Sequence, residues 1–312
     1  MGWDPVVLFF VFGVVAGLLR SELKLPPALY ETLSILLLLA IGLHGGVELA
    51  EQASGALIGQ MVLVLLMGIV LPLIAFPLLR VLRFGRVDAA SIAAHYGSVS
   101  AGTFAVVVAY MLAEGIFFES YMPLFVAILE IPAILVGIVL ARGLGANTNW
   151  GELGREIFLG KSIVLLLGGL MIGVLAGKEA VAPLEPLYTS MFAPVLALFL
   201  LEMGLIASRH MGSLRESGLR LVVFALIMPW VGAVAGLGFA TLMGLSVGGA
   251  AMLATLGASA SYIAVPAAMR LALPEANPSL SLGASLGITF PFNIIFGIPL
   301  YLQAAQWLQA GV

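Results

Sequence analysis

The sequence predicts an all-α integral membrane protein: ten transmembrane helices in two inverted five-helix repeats, with the fourth and ninth helices discontinuous. Three observations lead there. The first is composition. Of 312 residues, 62% are apolar and 9% charged, and the mean hydropathy is +1.17. A soluble domain carries about 45–50% apolar and about 25% charged residues, so no water-soluble globule of this size could hide the excess. The second is positive charge, which falls almost wholly on alternate connections between apolar stretches. The third is an echo of the first half of the chain in the second.

Composition also excludes whole classes of function. The net charge of −3 offers no basic footprint for nucleic acid. There is no cysteine, hence no disulfide and no thiolate nucleophile or metal ligand. The 37 glycines suit closely packed membrane helices, where small residues let backbones approach.

Apolar stretches free of Lys and Arg mark the spans. The first runs from about Pro5 to Leu19. Its leading residues include Asp4 where a signal peptide would be basic, and no small-residue cleavage site follows, so it reads as a span. The second begins after Pro26-Pro27 and ends near Gly45-Gly46. The third covers Ala56 to Leu79, the fourth Ala89 to Ala113, and the fifth Tyr121 to Ala141. A short polar connection, Arg142 to Lys161, joins the halves (1–142 and 162–312). The sixth span is Ser162 to Gly177 and the seventh Met191 to Ser208. No charge occurs from Leu221 to Met269, which is too long for one helix; a turn at Gly244–Gly249 separates an eighth span from a ninth. The tenth lies between Leu280 and Leu308. With these limits, 12 of the 13 Lys and Arg fall on one side and only Lys178 on the other. That asymmetry puts both termini outside the cytoplasm.

The repeat has a nearly constant offset. Gly13–Gly17 matches Gly173–Gly177, Ile41–Leu43 matches Met203–Leu205, Gly97–Ala101 matches Gly257–Ser261, and Pro132 matches Pro291, at offsets of 159 to 162. Five spans per half is an odd number, so the second half enters from the opposite side. Inverted repeats of this kind are characteristic of secondary transporters, although a duplicated scaffold without transport would share the pattern.

In such folds the ligand sites lie at the midplane, where two corresponding helices break. The fourth span carries Gly97, Ser98, Ser100, Gly102 and Thr103, and the ninth carries Gly257, Ser259, Ser261 and then Pro266. Glycine lowers the cost of leaving the helix and proline removes a donor. Opposed half-helix N-termini would attract an anion, and freed carbonyls and hydroxyls would suit a hard cation such as sodium. The plain alternative is helix packing, with Ser and Thr bonded back to the preceding turn.

Glu130 lies in mid-span, where a carboxylate is expensive and functional by default. Asn293, just after Pro291, occupies the matching segment. Glu130 is the expected sodium ligand or neutraliser; a structural hydrogen bond is the alternative. Glu202, a second membrane acid, has Ala40 as its counterpart and so no support from symmetry. His95 precedes the first break and reads as a satisfied interior histidine; His44, His210 and Glu31 sit near span ends. There is no Walker A sequence, no H-E-x-x-H and no G-x-S-x-G, so enzyme chemistry of those kinds is not expected.

Four motifs, His95–Ala101, Glu130-Ile131-Pro132, Ser259–Pro266 and Ile288–Asn293, resemble those of SbtA-type sodium-dependent bicarbonate transporters. The resemblance spans the whole chain. It implies a gate domain of spans 1, 2, 6 and 7 and a core domain of spans 3–5 and 8–10, with spans 4 and 9 crossed. It further implies a homotrimer in a bacterial plasma membrane, taking up bicarbonate with sodium by an elevator-like motion. Bicarbonate would lie against Gly97, Ser98, Ser100, Ala101, Thr103, Gly257, Ala258, Ser259, Ala260 and Ser261, with sodium near Glu130 and Asn293. Two features depart from the cyanobacterial members. Those carry a long cytosolic insertion where this chain has only Arg142 to Lys161, which weakens the case for a PII-like regulatory partner. They also carry Asp where this chain has Glu130.

The leading reading is therefore a sodium:bicarbonate symporter. A sodium-coupled carrier of a larger organic anion is the alternative, since small Ser, Gly and Ala linings also leave room. A cation/proton exchanger would want more midplane acids than Glu130, and a membrane enzyme is the outside class.

Overall fold

The computed structural model describes residues 5–52, 57–143 and 150–311. The expected start of the third span at Ala56, and part of the connection between Arg142 and Lys161, lie outside the described residues. The described chain is helical and contains no strand. Among the described residues, eight helical segments are long and apolar enough to cross a membrane. Two further apolar helices are shorter: α1 (Pro5–Leu18) and α13 (Val247–Ala258). They fall where the sequence places the first span and the front of the ninth.

In order, α2 is Pro27–Gln52 and α3 Leu57–Val81. The fourth span is two helices, α4 (Arg86–Gly97) and α5 (Ala101–Ala113). The fifth is also two, α6 (Met122–Leu129) and α7 (Pro132–Arg142), an interruption the sequence reading did not expect. Its cause is local: Pro132 cannot continue the backbone ladder, so the helix re-starts with that proline in its first turn, and Glu130 sits in the junction as the cap of α6.

The connection between the halves contains a helix, α8 (Trp150–Phe158), whose Leu153 and Ile157 are buried against Ala268 and Ala272. The sixth span, α9 (Lys161–Val181), kinks at Gly177, whose φ of +72° only glycine adopts without strain. The sequence limit fell on that residue. After the four-residue α10 (Glu185–Tyr188) come α11 (Phe192–Ser217) and α12 (Leu219–Met243). Gly244 closes α12 in the left-handed region and Ser246 caps α13, so the expected turn at 244–249 is there, although α13 already starts at Val247.

The ninth span continues as α14 (Ala264–Ala272). The tenth runs through α15 (Pro278–Ala284), α16 (Phe290–Phe292) and α17 (Ile298–Ala310), joined by wide π-helical turns at Ser285–Thr289 and Asn293–Gly297. The wide turns flank Pro291 and absorb the ladder bond that it cannot make.

The closest packing is between particular pairs of helices. Helix α1 lies along α11, and α2 along α9. The contacts are at glycine: a side chain on Gly13 would strike the Leu201 carbonyl, and one on Gly173 the Leu43 carbonyl. Helix α3 packs on α4, α4 on α7, α12 on α13, and α13 on α17, while α11 also packs on α15 and α6 on α9.

Candidate functional site

The two expected breaks are real, and they meet. Helix α4 ends at Gly97; Ser98 and Ser100 are extended, with ψ of −176° and 112°. Helix α13 ends at Ala258, and Ser259 is extended with ψ of 168°. The Ser100 backbone N–H donates to Ser259 Oγ at 3.1 Å. The Ser261 N–H donates to the His95 carbonyl at 2.8 Å. Ser259 thus satisfies a backbone donor of the first break, and the last turn of α4 one of the second, which is how two interrupted helices can remain buried in an apolar interior.

Hydroxyls finish the local accounting. Ser100 Oγ caps α5 by accepting from Thr103 N–H at 3.0 Å, and the Thr103 hydroxyl donates to it at the same distance. Ser259 Oγ donates back to the Leu256 carbonyl at 2.8 Å. Ser261 Oγ takes the Val265 N–H at 3.4 Å, a weak cap of α14. Ser98 differs from these. It is fully buried, and its Oγ has no hydrogen-bond partner among the described residues. The breaks therefore combine two helix N-termini, those of α5 and α14, with an unspent buried hydroxyl. This set of dipoles and donors suits a compact anion.

Ala101 and Gly102, the first residues of α5, face α2 and α11. With Ser34 and Leu37 of α2, Phe199 of α11 and Ile263 they surround a space of about 10 Å³. A Cβ on Gly102 would strike the Tyr262 hydroxyl and come within 3.1 Å of the Phe199 ring. Sequence reasoning missed Ser34, Phe199, Tyr262 and Ile263. The first two belong to spans with no break motif, and the last two read as ordinary apolar positions within a motif.

Gly97 and Gly257 serve close packing. A side chain at Gly97 would strike Pro72, and one at Gly257 the Gly232 carbonyl. Ala258 offers its carbonyl to Asn293 Nδ2 at 2.9 Å, and Tyr301 donates its hydroxyl to Asn293 Oδ1 at 2.8 Å. Asn293 is fully buried, and both ends of its amide are engaged by protein.

Glu130 stands in different surroundings. It is 2% exposed and lines a cavity of about 170 Å³ with Lys161 and Ser162 at the start of α9, Glu156 of α8, and Ile263 and Ala264 at the start of α14. The Ser162 side chain lies beside the carboxyl, while Oε2 has no partner among the described residues. A buried carboxylate oxygen without a donor, beside a hydroxyl, fits a hard cation. Asn293 does not line this cavity, so the acid and the amide expected near one pseudo-symmetric place have separate partners. No cluster of three or more His, Asp or Glu side chains occurs among the described residues, so a cation here would draw its remaining ligands from hydroxyls and carbonyls.

His95 is buried in the wall of another cavity, and Glu202 is buried in α11 with Oε2 unpartnered among the described residues. His44 instead lies 3.6 Å from Glu48, one turn on.

A search of curated proteins finds no match to the chain. The model of the Na+-dependent bicarbonate transporter superfamily matches residues 5–306, nearly the whole length. The chain belongs to that superfamily, which is one of transporters and not of enzymes.

Proposed function

We propose that the chain is a symporter that carries bicarbonate into the cell with sodium by an elevator-like exchange of access. The observation that carries this reading is the pairing of the two helix breaks: Ser100 on Ser259, and Ser261 on His95. Bicarbonate would bind there, against Gly97, Ser98, Ser100, Ala101, Thr103 and Gly257–Ser261. Backbone N–H groups of the α5 and α14 N-termini would hold its charge, and Ser98 Oγ would donate or accept one hydrogen bond. Glu130 with Ser162 would take the sodium, and Asn293 would hold the Ala258 carbonyl in place beside the anion.

Inverted symmetry finds support in the packing. Exchange of the two halves turns the α1–α11 pair into the α9–α2 pair, and the α3–α4 pair into the α12–α13 pair. The same pairs support a division into gate (spans 1, 2, 6 and 7) and core. Elevator-like motion would carry α5 past α11 at the apolar contact of Gly102 with Phe199, and α15 with the Ser285–Thr289 turn past α11 as well. A homotrimer in a bacterial plasma membrane, with both termini outside, completes the proposal.

One sodium per bicarbonate makes the cycle electroneutral. The membrane potential, about 2.3 kcal/mol per charge per 100 mV, would then contribute nothing. The sodium gradient would supply about 1.4 kcal/mol per tenfold ratio. The test is radiolabelled bicarbonate uptake into proteoliposomes with and without an inward sodium gradient. Uptake should require sodium and ignore a potassium–valinomycin potential. Sodium-driven uptake of an organic anion in its place would move the substrate and leave the architecture.

A further inference from the structure

A further cavity, of about 90 Å³, lies between α4, α14, the α14–α15 loop and α15; its largely apolar wall carries Ser91, His95, Arg270 and Ser281. His95 is 1% exposed. Its Nδ1 lies 2.8 Å from the Ser91 carbonyl. A carbonyl only accepts, so Nδ1 carries the proton, and Nε2 of the neutral ring is left as a bare acceptor. Nε2 has no partner among the described residues. Arg270 spends Nε on the Pro266 carbonyl at 3.3 Å and makes no ion pair among the described residues. The loop wall is pinned to α4, because Asp88 accepts the Asn277 N–H at 2.9 Å.

The cavity thus joins a buried acceptor that lacks a donor to an exposed guanidinium that has no ion-pair partner among the described residues. Nitrate and chloride supply only the charge. A monoprotonated oxyanion supplies both, its O–H to Nε2 and its negative oxygens to the guanidinium. We propose that this cavity is a second binding site for a protonated oxyanion of the bicarbonate class, with His95 and Arg270 as its recognition pair. The site sits one step from the helix breaks, since the His95 carbonyl accepts the Ser261 N–H. Arg270 belongs to the Lys/Arg-rich side of the chain. The choice of bicarbonate as ligand rests on the proposed function; the pairing of acceptor and cation does not.

The chain has three histidines, so 15N-histidine labelling of the full protein in nanodiscs gives a resolvable spectrum. Sodium bicarbonate, sodium nitrate and sodium chloride are titrated at one fixed pH, and His95 Nε2 is assigned with H95Q. The expected result is a saturable shift of the His95 Nε2 resonance with bicarbonate alone, lost in R270Q, whose exposed side chain can change without disturbing the core. No shift with any salt would leave water as the occupant and overturn the proposal. An equal shift with nitrate would overturn it too, because the ring would then be a donor to any anion. A bicarbonate shift that survives R270Q would remove the assigned cation. Because binding is read directly, failed sodium-driven uptake with the shift retained would sink the transport reading and leave this site standing.

Discussion

The backbone N–H of Ser100 donates to the side-chain oxygen of Ser259 across 3.1 Å, although 159 positions separate them in the chain. The bond ties the start of α5 to the end of α13, so each broken helix completes the other. Ser259→Ala should leave the Ser100 N–H buried and unpaired, a loss of about 1–3 kcal/mol. Sodium-driven bicarbonate uptake should fall at least tenfold while size-exclusion behaviour stays that of wild type; unchanged uptake would separate this contact from the substrate path.

Ser100→Ala removes the cap of α5 as well as the partner of Thr103. Loss of a cap costs about 1 kcal/mol. The melting temperature should drop by a few degrees, with a larger drop in uptake than Thr103→Val produces.

Glu130→Gln keeps the shape of the buried side chain and removes its charge. Sodium should no longer raise the melting temperature, and sodium-driven uptake should vanish. Ser162→Ala, which removes the neighbour of the carboxyl, should weaken apparent sodium affinity without abolishing uptake. Thermal protection by sodium that persists in Glu130→Gln would move the cation elsewhere.

Gly102→Val would drive a side chain into Tyr262 and Phe199 where α5 meets α11. Overpacking of this kind costs about 1–3 kcal/mol, too little to unfold the chain. The expected outcome is folded protein with uptake below a tenth of wild type, measured in the same proteoliposomes.

Asn293→Ala strands the Tyr301 hydroxyl and the Ala258 carbonyl in the interior. Thermal denaturation should show a destabilisation of about 1–3 kcal/mol. A fall in sodium affinity at unchanged stability would instead make Asn293 a ligand in its own right.

Much of this was legible in the sequence because the bilayer enforces simple rules. Long apolar runs must be helices, so the spans of α3 and α12 could be read within a few residues, whereas α11 runs on from the expected end at Ser208 to Ser217. Glycine and serine in mid-span marked both breaks, since few residue types tolerate leaving the helix there. The helix α8 was not legible, because a polar connection carries no strong periodic signal. Nor were the wide turns around Pro291, which depend on what packs beside them.

The sequence by itself determined the class of protein, the membrane setting, the paired Ser- and Gly-rich interruptions and the family. Only the tertiary structure decided how those residues are spent. It bound Ser100 to Ser259, engaged both ends of the Asn293 amide, left Ser98 Oγ and Glu130 Oε2 without partners among the described residues, and set Glu130 in a cavity apart from Asn293. The physical reason is that hydropathy and helix breaking are properties of local chain composition, whereas a hydrogen bond is a contact between groups far apart in sequence. Which polar atom stays free for a ligand is known only after every other polar atom has found its partner.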